Sequence, residues 1–426
     1  MRKTSVLIFL LSLTGLVFSQ DINSIINVKE VERVERKLSA DDMQGRVTFS
    51  AGIEKAADFI SDEFKAMGLH TWNNGGSYRQ PLVILKSKFV SASGEFDGQP
   101  IDGKNIVSFT STPDLMIDAA GGYQKVFIKA GESFIAKLTA CLQRDKNYLV
   151  LVDTSFSKNF SRLRAFAEQQ FKSEHDAIFV LTVADPQKFT INSKQQIAES
   201  KPTSNIIGVL PGKSKKDEYV IFSGHYDHLG IGKPNDKNDS IYNGANDDAS
   251  GTTAVIMLAK YFSQLKDNER TLLFVAFTAE ESGGYGSEYF SRQLDPAKVM
   301  AMFNIEMIGT ESKWGNNSAY LSGYEKTDMG KILEKNLSGS RFRFYPDPYP
   351  EQQLFFRSDN ATLARQGVPA HSISTSKMDS EKYYHTLGDE IETLDLKNMT
   401  EIIKAIAISS KSIVEGNDTP TRVKEQ

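Results

Sequence analysis

Three apolar runs, Tyr219-Val220-Ile221-Phe222, Leu272 to Phe277 and Val299 to Ile305, the last broken only by Asn304, constrain this chain more than any other feature. None alternates with polar residues, so each reads as a strand covered on both faces, as in a parallel sheet. Between and after them lie helical periods. Thr252 to Leu265 carries Val255, Leu258, Ala259 and Phe262 on one side, and Lys397 to Ile413 carries Ile402, Ile403, Ile406 and Ile413. Strands alternating with helices predict an α/β fold, a mixed, mainly parallel sheet sandwiched by helices. In such sheets ligands bind beyond the carboxyl ends of the strands. The loops after the three runs are therefore where function is sought.

The remaining sequence divides around that unit. Arg2 and Lys3 precede an apolar run, Val6 to Phe18, that ends near Ser19. This is the pattern of a signal peptide over residues 1–19, and the run is too short to span a bilayer. The mature chain is expected to be exported, periplasmic or extracellular, without stable membrane association. Helices are predicted over Lys29–Leu38 and Ile53–Met67. Between residues 86 and 198 short β-type stretches such as Tyr148 to Val152 and Ala177 to Leu181 alternate with turns, with one helix near Ser161–Phe171. That region reads as an inserted β-rich module, which splits a main domain into residues 20–85 and 199–416. Residues 417–426 read as a disordered tail. With 50 basic and 54 acidic residues well mixed and a net charge of −4, no basic stripe marks a nucleic-acid partner. The single cysteine, Cys141, forms no disulfide within the chain and reads as a small buried hydrophobe.

The loops hold a repeated signal. His225, Asp227 and His228 follow the first run, and Asn243 to Gly251 then leads into a helix with Asp247 and Asp248. Glu280-Glu281 follow the second run, Glu306 closes the third, and Tyr384-His385 follow a later strand, Ala370 to Ser374. Taken singly, each has a bland reading: a solvated turn, a helix N-cap, a structural histidine. A parallel sheet brings them to one edge, and imidazole with carboxylate suits zinc. Two metals sharing one carboxylate need about five protein ligands, with one further carboxylate left as a base.

The blocks SGHYDHLG, NGANDDASG, FTAEESGGYGS, FNIEMIG and YYHTLGDE, in this order, resemble the zinc exopeptidases that include secreted bacterial aminopeptidases, glutamate carboxypeptidase II and the glutaminyl cyclases. The resemblance also takes in LSADDMQGR near the N-terminus, and the inserted module resembles the protease-associated domain of many relatives without a motif matched residue by residue. The resemblance implies two zinc ions per chain. His225 and Glu306 would hold the first, Glu281 and His385 the second, and Asp247 would bridge. It implies Glu280 as general base and acid, Tyr384 as a group stabilising the oxyanion, Asp227 as the partner orienting His225, and a cis peptide at Asp247–Asp248. His228 has no place in this five-ligand set and reads as a structural or site-lining residue.

There are two departures from the family pattern. Glu306 stands where relatives commonly have Asp, and Asn360 ends an Arg357-Ser358-Asp359-Asn360 segment where relatives often have His, so no ligand is assigned there. The activity implied is removal of N-terminal residues from peptide substrates. The alternatives are a carboxypeptidase or dipeptidase, which would need Arg357, Arg365 or Lys377 to hold a substrate carboxylate; a one-zinc glutaminyl cyclase; and a non-catalytic binding protein.

Overall fold

The computed structural model describes residues 21–199 and 202–424; the signal-peptide expectation for residues 1–19 lies outside them. The three apolar runs lie in strands β2 (Lys215–His225), β3 (Arg270–Phe277) and β4 (Val299–Glu306). With β1 (Thr203–Leu210) and β5 (Ala370–Ser374) they form the middle of a nine-stranded sheet in the order β1-β3-β2-β4-β5. The ladders β3–β2, β2–β4 and β4–β5 are parallel, whereas β1 runs antiparallel to β3. His70–Thr71 and Arg79–Leu82 extend the sheet beyond β1, and Ser318–Leu321 and Arg343–Pro346 extend it beyond β5.

The reason for the continuous runs is visible at β2. Phe222 faces a core shared with helices α1 (Val28–Leu38), α2 (Ala51–Ala66), α3 (Ser250–Leu265) and α4 (Leu396–Ser409), while Ile221 faces a second core with Phe290 and Leu363. Both faces are covered, so alternation has nothing to mark. In register across three strands, Phe222 stacks on Phe274 and Phe303, with ring centroids 5.7 and 5.0 Å apart. α2 begins two residues before the expected Ile53, because the Ser50 hydroxyl accepts the Ile53 N–H at 3.2 Å and caps the helix there.

Residues between β-strands Arg79–Leu82 and β1 leave the main sheet. Ile84–Phe96 pairs with Phe189–Glu199 in a five-stranded antiparallel sheet, and a four-stranded sheet carries Tyr148–Val152 and Ala177–Leu181. The helix sought at Ser161–Phe171 forms earlier, over Ser157–Ala167, and its last expected residues instead form a strand, Gln169–Phe171, paired with Ile84–Lys86. A further helix, Phe134–Leu142, buries Cys141.

The expectation of a disordered tail is corrected over residues 417–424. Buried Arg270 donates to the carbonyls of Ile413 and Asp418 at 2.8 and 2.7 Å, and Arg422 donates to those of Pro296 and Val299 at 3.0 and 2.9 Å. The Val423 N–H donates to the Gly367 carbonyl. Charge-assisted bonds to backbone tie down a segment whose polar composition gives no packing signal. Among the described residues no helix is long and apolar enough to cross a membrane.

Candidate metal centre

The parallel strands deliver their ends to one edge. β2 ends at His225, β4 at Glu306, and the turn after β3 holds Glu280 and Glu281. The segment before α3 supplies Asp247, and the loop beyond β5 supplies His385. All of the sequence-predicted donors meet here. His225 Nε2 lies 3.3 Å from Asp247 Oδ1 and 3.2 Å from Glu306 Oε1. On the other side, His385 Nε2 lies 3.2 Å from Asp247 Oδ2 and 3.1 Å from Glu281 Oε1. The two carboxylate oxygens of Asp247 thus face two different groups. Glu280 and Tyr384 line the same cleft, where the Tyr384 ring stacks on His385 at 3.9 Å between centroids. The carboxylate of Glu280 makes no hydrogen bond among the described residues.

His228 enters this arrangement in a way the ligand count did not give. Its Nδ1 lies 2.9 Å from Glu281 Oε1 and 3.9 Å from Asp247 Oδ2, and its Nε2 is buried with no hydrogen-bond partner among the described residues. One donor atom each from His228, Asp247 and Glu281 falls within 4.8 Å, as does one each from His225, Asp247 and Glu306. Imidazole nitrogens and carboxylate oxygens so disposed are the donor set zinc takes, and their burial favours a compensating cation. The residues fit zinc.

The backbone around the donors is held by acids that have no place in the expected ligand set. Asp248 accepts from the N–H groups of His225 (3.2 Å), Gly251 (2.9 Å) and Met307 (3.0 Å), stitching β2, α3 and the end of β4 together. Asp389 accepts from the N–H groups of Asn246 and Asp247 at 2.7 and 3.0 Å. Fully buried Arg46 donates to the carbonyls of Leu38, Tyr226, Asn243 and Gly244. Ser358 donates to Glu306 Oε2 at 2.5 Å and so borders the cleft as a carboxylate partner. The Asp247–Asp248 peptide is cis. Ala279, Met307 and His385, each beside or within the donor set, hold left-handed backbone that non-glycine residues rarely adopt.

The role expected of Asp227 is shared differently. Its carboxylate stands 3.7 Å from His225 Nδ1, and its backbone carbonyl is nearer at 3.1 Å. The carboxylate instead accepts the N–H groups of Glu280 (3.1 Å) and Glu281 (3.3 Å), so it fixes the acidic pair. A carboxylate drawn to two backbone donors is less free for the ring.

Crowded charge shifts these groups. Burial pushes the Glu280 carboxyl well above the usual range, and the nearby Glu306, Asp359 and Asp227 carboxylates push it further. Burial opposes a proton on His225, but Glu306, Asp227 and Asp247 outweigh it and raise its pKa. The bonds to Asp247 and Glu281 lift His385 to about 10. Burial also raises Asp359 to about 7.

A model of Peptidase family M28 matches residues 205–409. A probable leucine aminopeptidase of Trichophyton verrucosum (strain HKI 0517) is 28% identical over 240 residues, covering 52% of this chain and 57% of that protein. Leucine aminopeptidase 1 of Sclerotinia sclerotiorum (strain ATCC 18683 / 1980 / Ss-1) is 23% identical over 328 residues, covering 70% and 79%. The chain spans only about half the length of several of the curated relatives it matches. Among solved structures, an aminopeptidase from Aneurinibacillus sp. strain AM-1 superposes with a TM-score of 0.52 at 18% identity, over 95% of this chain and 97% of that one. BSAP, a zinc aminopeptidase from Bacillus subtilis, gives 0.53 at 16% identity, over 92% and 95%. These superpositions show the shared mixed α/β fold.

Proposed function

Because the chain belongs, through residues 205–409, to peptidase family M28, we propose that it is an exported di-zinc metallo-aminopeptidase that hydrolyses N-terminal residues from peptides. The observation that carries this reading is Asp247, whose two oxygens face separate donor groups, with unengaged Glu280 beside them. The names of the relatives, leucine aminopeptidase and zinc aminopeptidase, support the same reading. His225 and Glu306 would hold one zinc, Glu281 and His385 the other, and Asp247 both. When bound, the ions supply Lewis acidity toward the scissile carbonyl and the attacking water.

The chain's own groups do the rest. Glu280 accepts the proton of the attacking water and returns it to the leaving amine. Tyr384 donates its phenolic hydrogen to the oxygen that gains charge. Asp227 keeps Glu280 and Glu281 in place through their backbone N–H groups. The acidic lining attracts a free, positively charged α-amino group. The inserted β-rich segment, residues 86–198, and the signal peptide at residues 1–19 belong to this proposal as a separate module and an export signal.

Zinc analysis and a substrate panel test it. About two zinc ions per chain are expected from the shared-carboxylate arrangement; one would favour a glutaminyl cyclase. Glu280→Ala should lower kcat about 10²–10⁴-fold on free-amine aminoacyl amides, with metal content kept. Equal turnover by wild type and variant would remove Glu280 as the base, and cleavage of N-blocked peptides alone would refute the aminopeptidase.

A further inference from the structure

The cleft beside the donor groups is lined by acidic, hydroxyl-bearing and apolar side chains. Among the described residues, Asp247, Glu280, Glu281 and Glu306 supply the carboxylates of its lining, and Arg357 is the one arginine or lysine there. The guanidinium of Arg357 is nearly unengaged. It donates one bond, to Gln352 Oε1 at 3.3 Å, and forms no ion pair among the described residues. The other cations considered for substrate binding are occupied elsewhere. Lys377 Nζ sits 2.8 Å from Glu311 Oε1, and Arg365 lies over the Phe356 ring, 5.4 Å from its centroid.

The next residue anchors Arg357 to the site. Ser358 donates to Glu306 Oε2 and accepts from Asn304 Nδ2 at 2.8 Å, so the backbone carrying Arg357 is tied to the donor set. Ser372, Ser374 and Ser376 line the same cleft, giving part of it a hydroxyl surface. A guanidinium presents a fixed fork of donors that fits a carboxylate bidentately. A cleft lined by carboxylates and by one guanidinium outside any ion pair matches a ligand that carries both an ammonium and a carboxylate.

We propose that Arg357 anchors a substrate carboxylate in this cleft. The inference rests on the aminopeptidase reading and narrows it to peptides whose free amino terminus is accompanied by a nearby carboxylate. That carboxylate is either the side chain of an N-terminal Asp or Glu, or the C-terminal carboxylate of a dipeptide.

Two isosteric pairs distinguish these sources on the zinc-loaded protein: Glu- against Gln-p-nitroanilide, and Leu-Leu against Leu-Leu-amide. Wild type should prefer the carboxylate member of one pair by about tenfold or more in kcat/KM, the effect of one charge-assisted contact. Arg357→Gln should bring that ratio to about one, and Arg357→Lys should restore part of it. Taking ratios cancels general damage to the variant. The same pairs are compared by calorimetric binding to zinc-loaded Glu280→Gln, which reads the preference whether or not turnover occurs. Ratios near one for both pairs in wild type, or a preference that Arg357→Gln leaves intact, would overturn the proposal. Absence of turnover on every free-amine substrate with an intact binding preference would instead overturn the aminopeptidase reading alone.

Discussion

Glu35 offers a test of the energetics beneath the site. It lies on α1, fully buried, and only one of its oxygens is engaged: Oε2 accepts the Thr253 hydroxyl of α3 at 2.8 Å, while Oε1 has no partner among the described residues. Burial lifts its pKa from 4.5 to about 8; the Thr253 bond and the Arg46 charge pull the other way but do not cancel it. The sign follows from proton counts. Between those values the folded chain keeps the proton that the unfolded chain has released, so stability falls as pH rises toward about 8 and then levels off. At about 1.36 kcal/mol for each pH unit, roughly 3 kcal/mol is lost between about pH 6 and pH 9. Glu35→Gln keeps an acceptor for Thr253 and carries no proton to lose. Urea unfolding of wild type and variant, followed by tryptophan fluorescence, should show their difference moving in favour of the variant by about 3 kcal/mol across that range. A difference that stays constant with pH would refute the assignment of a buried, protonated Glu35.

Further outcomes are expected at three positions. Gly251→Ala would place a Cβ 2.2 Å from the Ile305 carbonyl oxygen and 2.4 Å from Asp248 Oδ2. The helix must shift, and calorimetric melting should show a loss of about 3 kcal/mol or more. Glu306→Asp draws the carboxylate back by about 1.5 Å from His225 Nε2 and Ser358 Oγ. Dialysis with metal analysis should show one zinc held about tenfold more weakly, the lower end of what is lost when a ligand's support is disturbed. Cys141 is buried and its thiol is pushed up to about 11, so a thiol reagent at mildly alkaline pH should label it only after denaturant is added; prompt labelling of the native protein would contradict its burial.

The main sheet was legible because its middle strands are buried on both faces, so the sequence shows apolar runs rather than alternation. Polar residues at the ends of those runs then stand out against them, which is why His225, Glu280, Glu281 and Glu306 are legible in the sequence as one group. What the sequence hid has a common physical character. Asp248, Asp389 and Arg46 act by capturing backbone N–H and carbonyl groups from distant segments. Such bonds follow no period and require no special neighbour, so an aspartate that ties two strand ends to a helix looks the same as one that caps a helix. Arg270 and Arg422 hold the C-terminal segment by the same means, and a polar stretch without apolar spacing carries no sequence sign of that order.

His228 shows the limit from the other side. Counting ligands against a five-donor pattern leaves it no place, since a count treats each residue as either in or out. In the fold its ring touches Glu281 at 2.9 Å from a fully buried position, beside the group that Asp247 and His385 complete. A buried imidazole that meets a donor carboxylate affects how that carboxylate is oriented and how basic it is, whether or not it contacts a cation itself. The spacing His225-Tyr226-Asp227-His228 sends the two rings to opposite oxygens of Asp247, because β2 ends at the first and the second lies in the loop beyond it. Two histidines three residues apart thus serve two different groups, a division set by where the strand stops.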